Sequence, residues 1–289
     1  MSIGAQQLRT CRSCQPLLSK CRTRTQCSNR KRADWNKPAQ RLLTERMRVS
    51  MLLLATSALL AACGGENSDS KVKAPGVDES VKTRTLEAGA DLMQNKTPLR
   101  ALNAYMDGFH FYNGDVKSQM EAHHYCGHLN DEVIQCVIFD GNAENAKIMG
   151  VEYIISRKLF EQLPAQEKHL WHSHVHEVRS GQLIAPGIPE VAEHAFMEEI
   201  AGTYGKTWHT WHTDRHKELP LGAPTLMMGF TQDGQADERM ISERDQRFGV
   251  SSAENRQKRA DIKYPPIDPE ADSWQKGIVV QLEANRQQH

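Results

Sequence analysis

The sequence predicts an α+β fold class: a single domain with antiparallel hairpins and interspersed helices, plus an extended C-terminal arm. Segments rich in β-branched and aromatic residues flank turn sequences at 113–115 (Asn-Gly-Asp) and 130–132 (Asn-Asp-Glu), a pattern typical of hairpins. Helical periodicity occurs between the strands, but strands and helices do not alternate regularly as they would in a parallel sheet. Residues 86–230 supply enough chain for one hydrophobic core.

The first part of this domain is predicted to be a helix followed by strands. Residues 86–111 favour a helix because Leu99, Leu102, Met106 and Phe109 recur three or four residues apart. Pro98 suits a first helical turn. Residues 122–140 then favour a hairpin, and residues 146–156 favour a further strand.

The second part is predicted to alternate short helices with strands. Helices are expected at 157–163, 164–170 and 191–204, the last of which Gly205 ends. A second hairpin is expected at 172–184, and strands at 206–213 and 225–230. Residues 231–289 form the predicted charged C-terminal arm, in which we expect only Trp274 and residues 278–280 to pack.

A lipoprotein export signal precedes the domain at residues 47–63. It has a positively charged start at Arg48, an apolar stretch from Met51 to Leu60, and a Leu-Ala-Ala cleavage sequence before Cys63. The stretch is too short to cross a bilayer, which takes about 20 apolar residues. We therefore predict lipidation of Cys63, and we interpret residues 1–46 as an unstructured extension upstream of a mis-assigned start. Two alternatives for this extension are a zinc-binding segment, since Cys11 and Cys14 have ligand spacing, and an unusually long positively charged start of the export signal.

The signal also predicts where the protein works. Gly64 follows the cysteine, instead of the Asp that tends to retain a lipoprotein in the inner membrane, so we expect acyl-chain attachment to the outer membrane, facing the periplasm. Residues 64–85 are polar and predict a flexible tether. Residues 1–63 carry 12 of the 36 Lys and Arg but 2 of the 36 Asp and Glu, which leaves the rest of the chain at a net charge of −10. This charge argues against a nucleic-acid partner.

Clustered histidines make a metal site one hypothesis. If residues 171–178 form a strand, His172, His174 and His176 face one side, about 6–7 Å apart at successive steps. His123 or His124 would complete the shell of one divalent metal, zinc or iron, with Glu177 or Glu121 as acid or base. The alternative is that these histidines are core residues with hydrogen-bonded rings. The sequence contains no nucleophile elbow, phosphate-binding loop or dinucleotide-binding motif, so the catalytic residues of any enzyme activity are unknown.

Cys126 and Cys136 become direct cross-strand partners if residues 130–132 form the hairpin loop. A disulfide between them is compatible with the periplasm. Two alternatives remain open: the pair stays as buried thiols, or Cys126 binds a metal beside His124.

Six short motifs resemble, in order, those of the oil-body-associated protein family, which occurs in seed plants and, as proteins of unknown function, in fungi and bacteria. They are HHYC at 123–126, QC at 135–136, GVEYIIS at 150–156, LWHSH at 170–174, YGK at 204–206 and LPLGAP at 219–224. The resemblance covers residues 85–230 and continues into the arm at 247–251. It implies association with oil bodies for the plant members, and it assigns no role to any residue of this chain.

The first functional hypothesis is therefore an outer-membrane lipoprotein of unknown molecular activity that binds lipid or an envelope component. The alternative is a histidine-rich metal-dependent enzyme or metal-binding protein. A third is a structural envelope protein whose histidines only pack.

Overall fold

The computed structural model describes residues 67–282 and combines helices with one antiparallel sheet, which confirms the predicted α+β class. The predicted extension, export signal and Cys63 lie outside the described residues. The strands are β1 (Ala104–Tyr112), β2 (Asp115–Asn130), β3 (Val133–Phe139), β4 (Ile148–Ser156), β5 (His172–Ser173), β6 (Thr203–His209) and β7 (Thr225–Met228). The helices are α1 (Val81–Met93), α2 (Thr97–Arg100), α3 (Arg157–Glu161), α4 (Ala165–Lys168), α5 (Val175–Arg179), α6 (Glu190–Ala201), α7 (Glu238–Phe248) and α8 (Ser252–Lys258), with a 3₁₀ turn at Ser273–Lys276.

The sheet closes on itself, a feature that the predicted hairpins did not include. Strands β1 to β4 pair in chain order, β4 pairs with β6, β6 with β7, and β7 returns to β1, so that six strands form a closed sheet. The two-residue strand β5 pairs with the start of β6, at Gly205 and Tyr204. Because the sheet is closed, every second side chain of each strand faces a common interior.

The interior of the closed sheet has three layers. Directly opposed residues on neighbouring strands have their side chains on the same side of the sheet. Cys136 on β3 lies opposite Glu152 on β4, which lies opposite Thr207 on β6, so these three side chains share one face. One apolar cluster contains Met106 and Ile154, and another contains Met120 and Ile138. Polar side chains fill the space between these clusters, and this layer is the candidate site.

Cys126 and Cys136 lie opposite each other on β2 and β3, the register that the predicted hairpin loop implies. Their Sγ atoms are 1.99 Å apart and form a disulfide. Both side chains belong to the first apolar cluster, which leaves Cys126 unable to bind a metal in this state.

The prediction of a helix across residues 86–111 is wrong beyond residue 103, where β1 begins. Seven consecutive residues of β1 are buried, from Met106 to Tyr112, so both faces of the strand carry apolar groups. A strand that is buried on both faces loses the alternating pattern, and its apolar residues then match helical spacing by coincidence. Residues 81–93 and 97–100 are helical.

The predicted hairpin at 172–184 is also wrong. Because β6 begins at Thr203, opposite His174, the chain beyond His174 has no strand to pair with. It turns instead into α5, which directs His176 away from His172 and His174.

The C-terminal segment packs through charged residues, contrary to the expectation that only Trp274 and residues 278–280 would pack. Arg244 on α7 is completely buried and its Nη1 lies 2.8 Å from Oδ1 of Asp107 on β1. Arg259 is 1% exposed and donates to the carbonyl oxygens of Val178 and Leu183. Buried charges are tolerated when they are paired and hydrogen-bonded in this way.

Part of the predicted tether contacts the domain. The backbone N–H of Ser68 donates to Oδ1 of Asn142, and Ser70 Oγ donates to Asp140 in the loop after β3. The Val72 side chain is buried. By contrast, α1 has no buried residue.

Candidate metal centre

The polar layer inside the closed sheet is centred on Glu152. We define the central cluster as this glutamate and four histidines, each from a different position of the sheet: His110 on β1, His124 on β2, His172 on β5 and His174 directly after β5. None of the five is more than 4% exposed. Alternation along each strand turns these side chains inward while their sequence neighbours face outward.

Each carboxylate oxygen of Glu152 faces two histidines. His124 Nε2 lies 2.9 Å and His110 Nε2 lies 3.7 Å from Oε2. His174 Nε2 lies 3.2 Å and His172 Nε2 lies 3.5 Å from Oε1. All four imidazoles therefore direct the same ring nitrogen at one carboxylate.

The outer nitrogens of two histidines have partners that determine where the ring proton lies. His124 Nδ1 lies 3.0 Å from the carbonyl oxygen of Ala122, which can only accept a hydrogen bond. His174 Nδ1 lies 2.8 Å from Thr203 Oγ1, whose own hydrogen is donated to the Ile200 carbonyl oxygen. Both Nδ1 atoms must therefore donate, so each neutral ring turns the lone pair of Nε2 toward Glu152.

This arrangement places lone pairs against a carboxylate, which is repulsive unless a cation lies between them. Burial alone would raise the pKa of Glu152, but contacts with the imidazoles of His124 and His174 outweigh burial and hold that pKa well below its ordinary value. Either protons on the rings or a metal ion can supply the positive charge. Among the described residues, neither nitrogen of His172 has a hydrogen-bond partner, although this ring is completely buried.

Burial holds the remaining rings neutral, which is the form that binds metals. Burial lowers the pKa of His172 to about 3, and it lowers the pKa of His209 to about 3. The pKa of His110 is also well below its ordinary value, mainly because of burial and then because of the neighbouring His124. His209 Nε2 lies 3.3 Å from His110 Nδ1 and so holds the outer nitrogen of that ring.

Glu177 of α5 borders the central cluster. A cavity of about 10 Å³ between Glu177, Glu152, His110, His124 and His174 has room for about one water oxygen. Burial, followed by repulsion from Glu152, raises the pKa of Glu177 well above its ordinary value. This carboxyl group borders the cavity, and its surroundings favour the neutral form over the charged one.

Two glycines, which lack a side chain, provide the space that the cluster occupies. A Cβ atom at Gly205 would overlap Glu152 Oε1 and would lie 2.8 Å from His172 Nε2. A Cβ atom at Gly229 would lie 2.9 Å from Glu177 Oε1. Any larger residue at either position would displace the site.

Comparison with known proteins assigns the family. The family described as "Protein of unknown function (DUF1264)" matches residues 96–263, a range that contains the whole central cluster and Glu177. The chain belongs to the DUF1264 family. It is 42% identical over 210 residues to oil body-associated protein 1B of Arabidopsis thaliana, covering 72% of this chain and 87% of the relative. It is 41% identical over 218 residues to oil body-associated protein 1A of Zea mays, covering 75% and 92%.

These matches confirm that the DUF1264 chain resembles the oil-body-associated proteins. A further relative, oil body-associated protein 2A of Zea mays, is 40% identical over 215 residues, covering 72% of this chain and 85% of the relative. No solved structure matches the chain. The family description assigns no activity, so the chemistry of the domain must be argued from its site.

The DUF1264 domain brings together three of the five histidines that the sequence singled out. His124, His172 and His174 belong to the central cluster, whereas His176 lies on α5 with its Nε2 3.9 Å from Oδ1 of Asp233. The His123 side chain lies on the other face of β2, because neighbouring side chains on a strand point in opposite directions. Its Nδ1 lies 3.0 Å from Asp107 Oδ2.

Glu121, the alternative acid or base, lies with His123 outside the central cluster. Asp107, Glu121 and His123 have the spacing of metal ligands. However, Arg244 contacts Asp107 and Arg247 contacts Glu121, so cationic side chains already oppose both carboxylates. This second group acts as the contact between α7 and the closed sheet.

Glu152, His110 and His209 were missed as site residues. Glu152 is the only charged residue of β4, in the sequence IMGVEYIIS, and a carboxylate inside an apolar strand was a usable indication of a buried polar site. His110 and His209 carried no comparable indication, because the former lay in a predicted helix and the latter beside Trp208.

Proposed function

We propose that this protein binds a divalent transition metal inside its closed sheet, through Glu152 and the Nε2 atoms of the surrounding histidines. The observation that carries the proposal is the orientation of His124 and His174. Their outer nitrogens donate hydrogen bonds, so their lone pairs converge on one buried carboxylate at 2.9 and 3.2 Å. A metal between these atoms converts the repulsion into coordination.

The ligand set favours zinc, iron or manganese. Imidazole nitrogens combined with a carboxylate suit these ions, whereas calcium and magnesium prefer shells made of oxygen. Partners at Nδ1 are typical of metal-binding histidines because they fix the ring and its tautomer. Thr203 and the Ala122 carbonyl provide such partners.

The cavity beside Glu177 supports a reactive role over a purely structural one. Structural zinc sites are closed by four protein ligands, whereas catalytic sites keep a position for water. The cavity holds about one oxygen atom, and Glu177 can exchange a proton with it. The histidine-rich metal-dependent enzyme is accordingly the activity that this geometry supports best.

Metal analysis of the full-length, untagged protein tests the proposal. Purification without chelator, followed by elemental mass spectrometry, should find zinc, iron or manganese in stoichiometric amount. Glu152→Gln should lower metal affinity at least tenfold, while the control Glu144→Gln, at an exposed residue of the loop after β3, should leave it unchanged. Protein that takes up no metal, even after reconstitution, would show that protons hold the cluster together.

We also propose that the protein is a lipoprotein attached through Cys63 to the periplasmic face of the outer membrane. The proposal rests on the export signal and is supported by the position of Ser68, which contacts the domain five residues after Cys63. Five residues span at most about 18 Å, so acyl chains at Cys63 would keep the domain near the bilayer. Palmitate labelling should disappear in Cys63→Ala, and label that persists in this variant would disprove the attachment.

Helix α1 supports direct lipid contact as part of this role. It has no buried residue, yet Val81, Leu86, Leu92 and Met93 are 64–87% exposed. At 3.6 residues per turn they fall within an arc of about 140°, which is the form of an interfacial helix. No helix within residues 67–282 is long and apolar enough to cross a bilayer.

Vesicle flotation tests this contact separately from lipidation. The Cys63→Ala protein should float with phospholipid vesicles, and adding Leu86→Ser and Leu92→Ser should abolish flotation. A control with Leu129→Ser and Leu221→Ser changes two leucines outside α1 that are also more than half exposed, and it should still float. Equal flotation of the two sets of variants would rule out lipid contact through α1.

A further inference from the structure

We propose that the central cluster holds two metal ions bridged by Glu152, an inference that rests on the proposed metal binding. The four histidines divide into two pairs, one for each oxygen of the carboxylate. His110 and His124 face Oε2, while His172 and His174 face Oε1. A carboxylate between two histidine pairs is the ligand arrangement of a bridged two-metal site.

The ligand atoms form two sets that share only the glutamate. Within His110, His124 and Glu152, the atoms available for coordination lie within 4.8 Å of one another, and the same holds for Glu152, His172 and His174. Two ligands of one ion are at most about 4.4 Å apart when each bond is about 2.2 Å. An upper limit of 4.8 Å is close to this span, so each set is compact enough to surround an ion of its own.

Ring positions discriminate between one shared ion and two. With a metal–nitrogen bond of about 2.1 Å, the ring centre lies about 3.2 Å from the metal, and two imidazoles at the tetrahedral angle have centres about 5.2 Å apart. The centres are 4.9 Å apart for His110 and His124, and 5.1 Å apart for His172 and His174. Between the pairs, His110 and His172 are 6.0 Å apart, which fits poorly to neighbouring positions on one ion.

Nδ1 atoms in both histidine pairs have partners of the kind found for metal-binding histidines. In the first pair, His124 Nδ1 meets the Ala122 carbonyl oxygen and His110 Nδ1 meets His209. In the second pair, His174 Nδ1 meets Thr203. Three of the four rings thus have the outer nitrogen occupied and Nε2 directed at Glu152, the pattern expected of metal-bound histidines.

The cavity beside Glu177 lies between the two pairs. It borders His110 and His124 of the first pair and His174 of the second, and it accommodates one oxygen atom. A ligand placed in this cavity would therefore face both pairs.

Metal stoichiometry of paired variants tests this inference. Full-length, untagged protein reconstituted with Mn²⁺ or Zn²⁺ should bind two equivalents. His110→Ala with His124→Ala should bind one, and His172→Ala with His174→Ala should also bind one. The control, His128→Ala with His194→Ala, removes two solvent-accessible histidines and should still bind two.

The outcomes separate this inference from the proposed function. One equivalent in the wild type, lost in both paired variants, would overturn the two-metal site but keep the metal-binding protein. No metal in the wild type would overturn both. Electron paramagnetic resonance of the Mn²⁺-loaded wild type gives a readout that needs no variant: an exchange-coupled pair supports the bridge, and the six-line spectrum of an isolated ion contradicts it.

Discussion

Replacing Arg244 with Met should destabilise the domain far more than an arginine substitution on its surface. The Arg244 guanidinium is completely buried, with Nη1 2.8 Å from Asp107 Oδ1, Nη2 3.2 Å from Ser252 Oγ and Nε 2.9 Å from Asp245 Oδ1. It also lies 4.7 Å from the ring centre of Phe109. The substitution keeps much of the side-chain volume but leaves the fully buried Asp107 carboxylate without its cation.

The expected loss of unfolding free energy is about 3–5 kcal/mol, the cost of removing one partner of a buried ion pair. Two unit charges about 4 Å apart attract by about 4 kcal/mol at an effective dielectric constant of about 20, which gives the same magnitude. His123, 3.0 Å from Asp107, offsets part of the loss, so the lower end of this range is expected. For a domain of this size, about 2–4 °C per kcal/mol corresponds to a fall in Tm of about 6–20 °C.

Urea unfolding followed by circular dichroism, with EDTA present to remove metal, measures this loss. Arg239→Met is the matched control, because Arg239 lies on the same helix with its side chain 81% exposed and an ion pair at 3.9 Å. It should change the unfolding free energy by no more than about 0.5 kcal/mol. The argument fails if Arg244→Met costs no more than this control, since the Asp107–Arg244 contact would then contribute nothing to the attachment of α7.

Three further predictions concern the interior of the closed sheet. Gly205→Ala should lower metal affinity at least tenfold in a metal titration, because its Cβ would overlap the carboxylate of Glu152. In the control Gly202→Ala the nearest contact of the new Cβ is at 3.9 Å, so this variant should bind metal normally. Equal affinities of the two variants would contradict the geometry of the site. Burial raises the pKa of Asp272 to about 6 from an ordinary 3.8, so its contribution to the stability of metal-free protein is present below about pH 3.8 and is lost as pH rises through about 6. Asp272→Asn should therefore gain about 3 kcal/mol relative to wild type between about pH 4 and pH 7 in urea unfolding, and a constant difference over that interval would refute it. Replacing both Cys126 and Cys136 with Ala should cost about 3 kcal/mol, and thiol titration of unfolded wild-type protein should find two more thiols after reduction than before; equal counts would exclude the disulfide.

Secondary structure was predictable where it depends on neighbouring residues. The β2–β3 hairpin is one example, because its loop at 130–132 places Cys126 opposite Cys136. Helix α6 is another, although it ends at Ala201, three residues before the end that Gly205 predicted. Strand β1 was not predictable in this way, because burial of both its faces removed the alternation that distinguishes a strand from a helix.

The candidate site was only partly predictable, for a related reason. His172 and His174 are two residues apart, so the sequence indicated them as a pair. Glu152, which joins them to His124, lies 20 residues before His172 and reaches it through the pairing of β4 with β6 and of β6 with β5. Such pairings depend on closure of the whole sheet, which no local pattern encodes.

The sequence by itself determined the family, the predicted export signal, the net charge of residues 64–289 and the cysteine register, because each depends on residue identity or short-range spacing. The tertiary structure decided which histidines meet and which carboxylate they surround. Closure of the six strands turned His110, His124 and Glu152 to one interior. Because β6 begins at Thr203, the chain after His174 turns into α5, which directs His176 away from that interior. Because water is largely excluded from a closed interior, lone pairs and carboxylates that converge there require a cation to offset their repulsion.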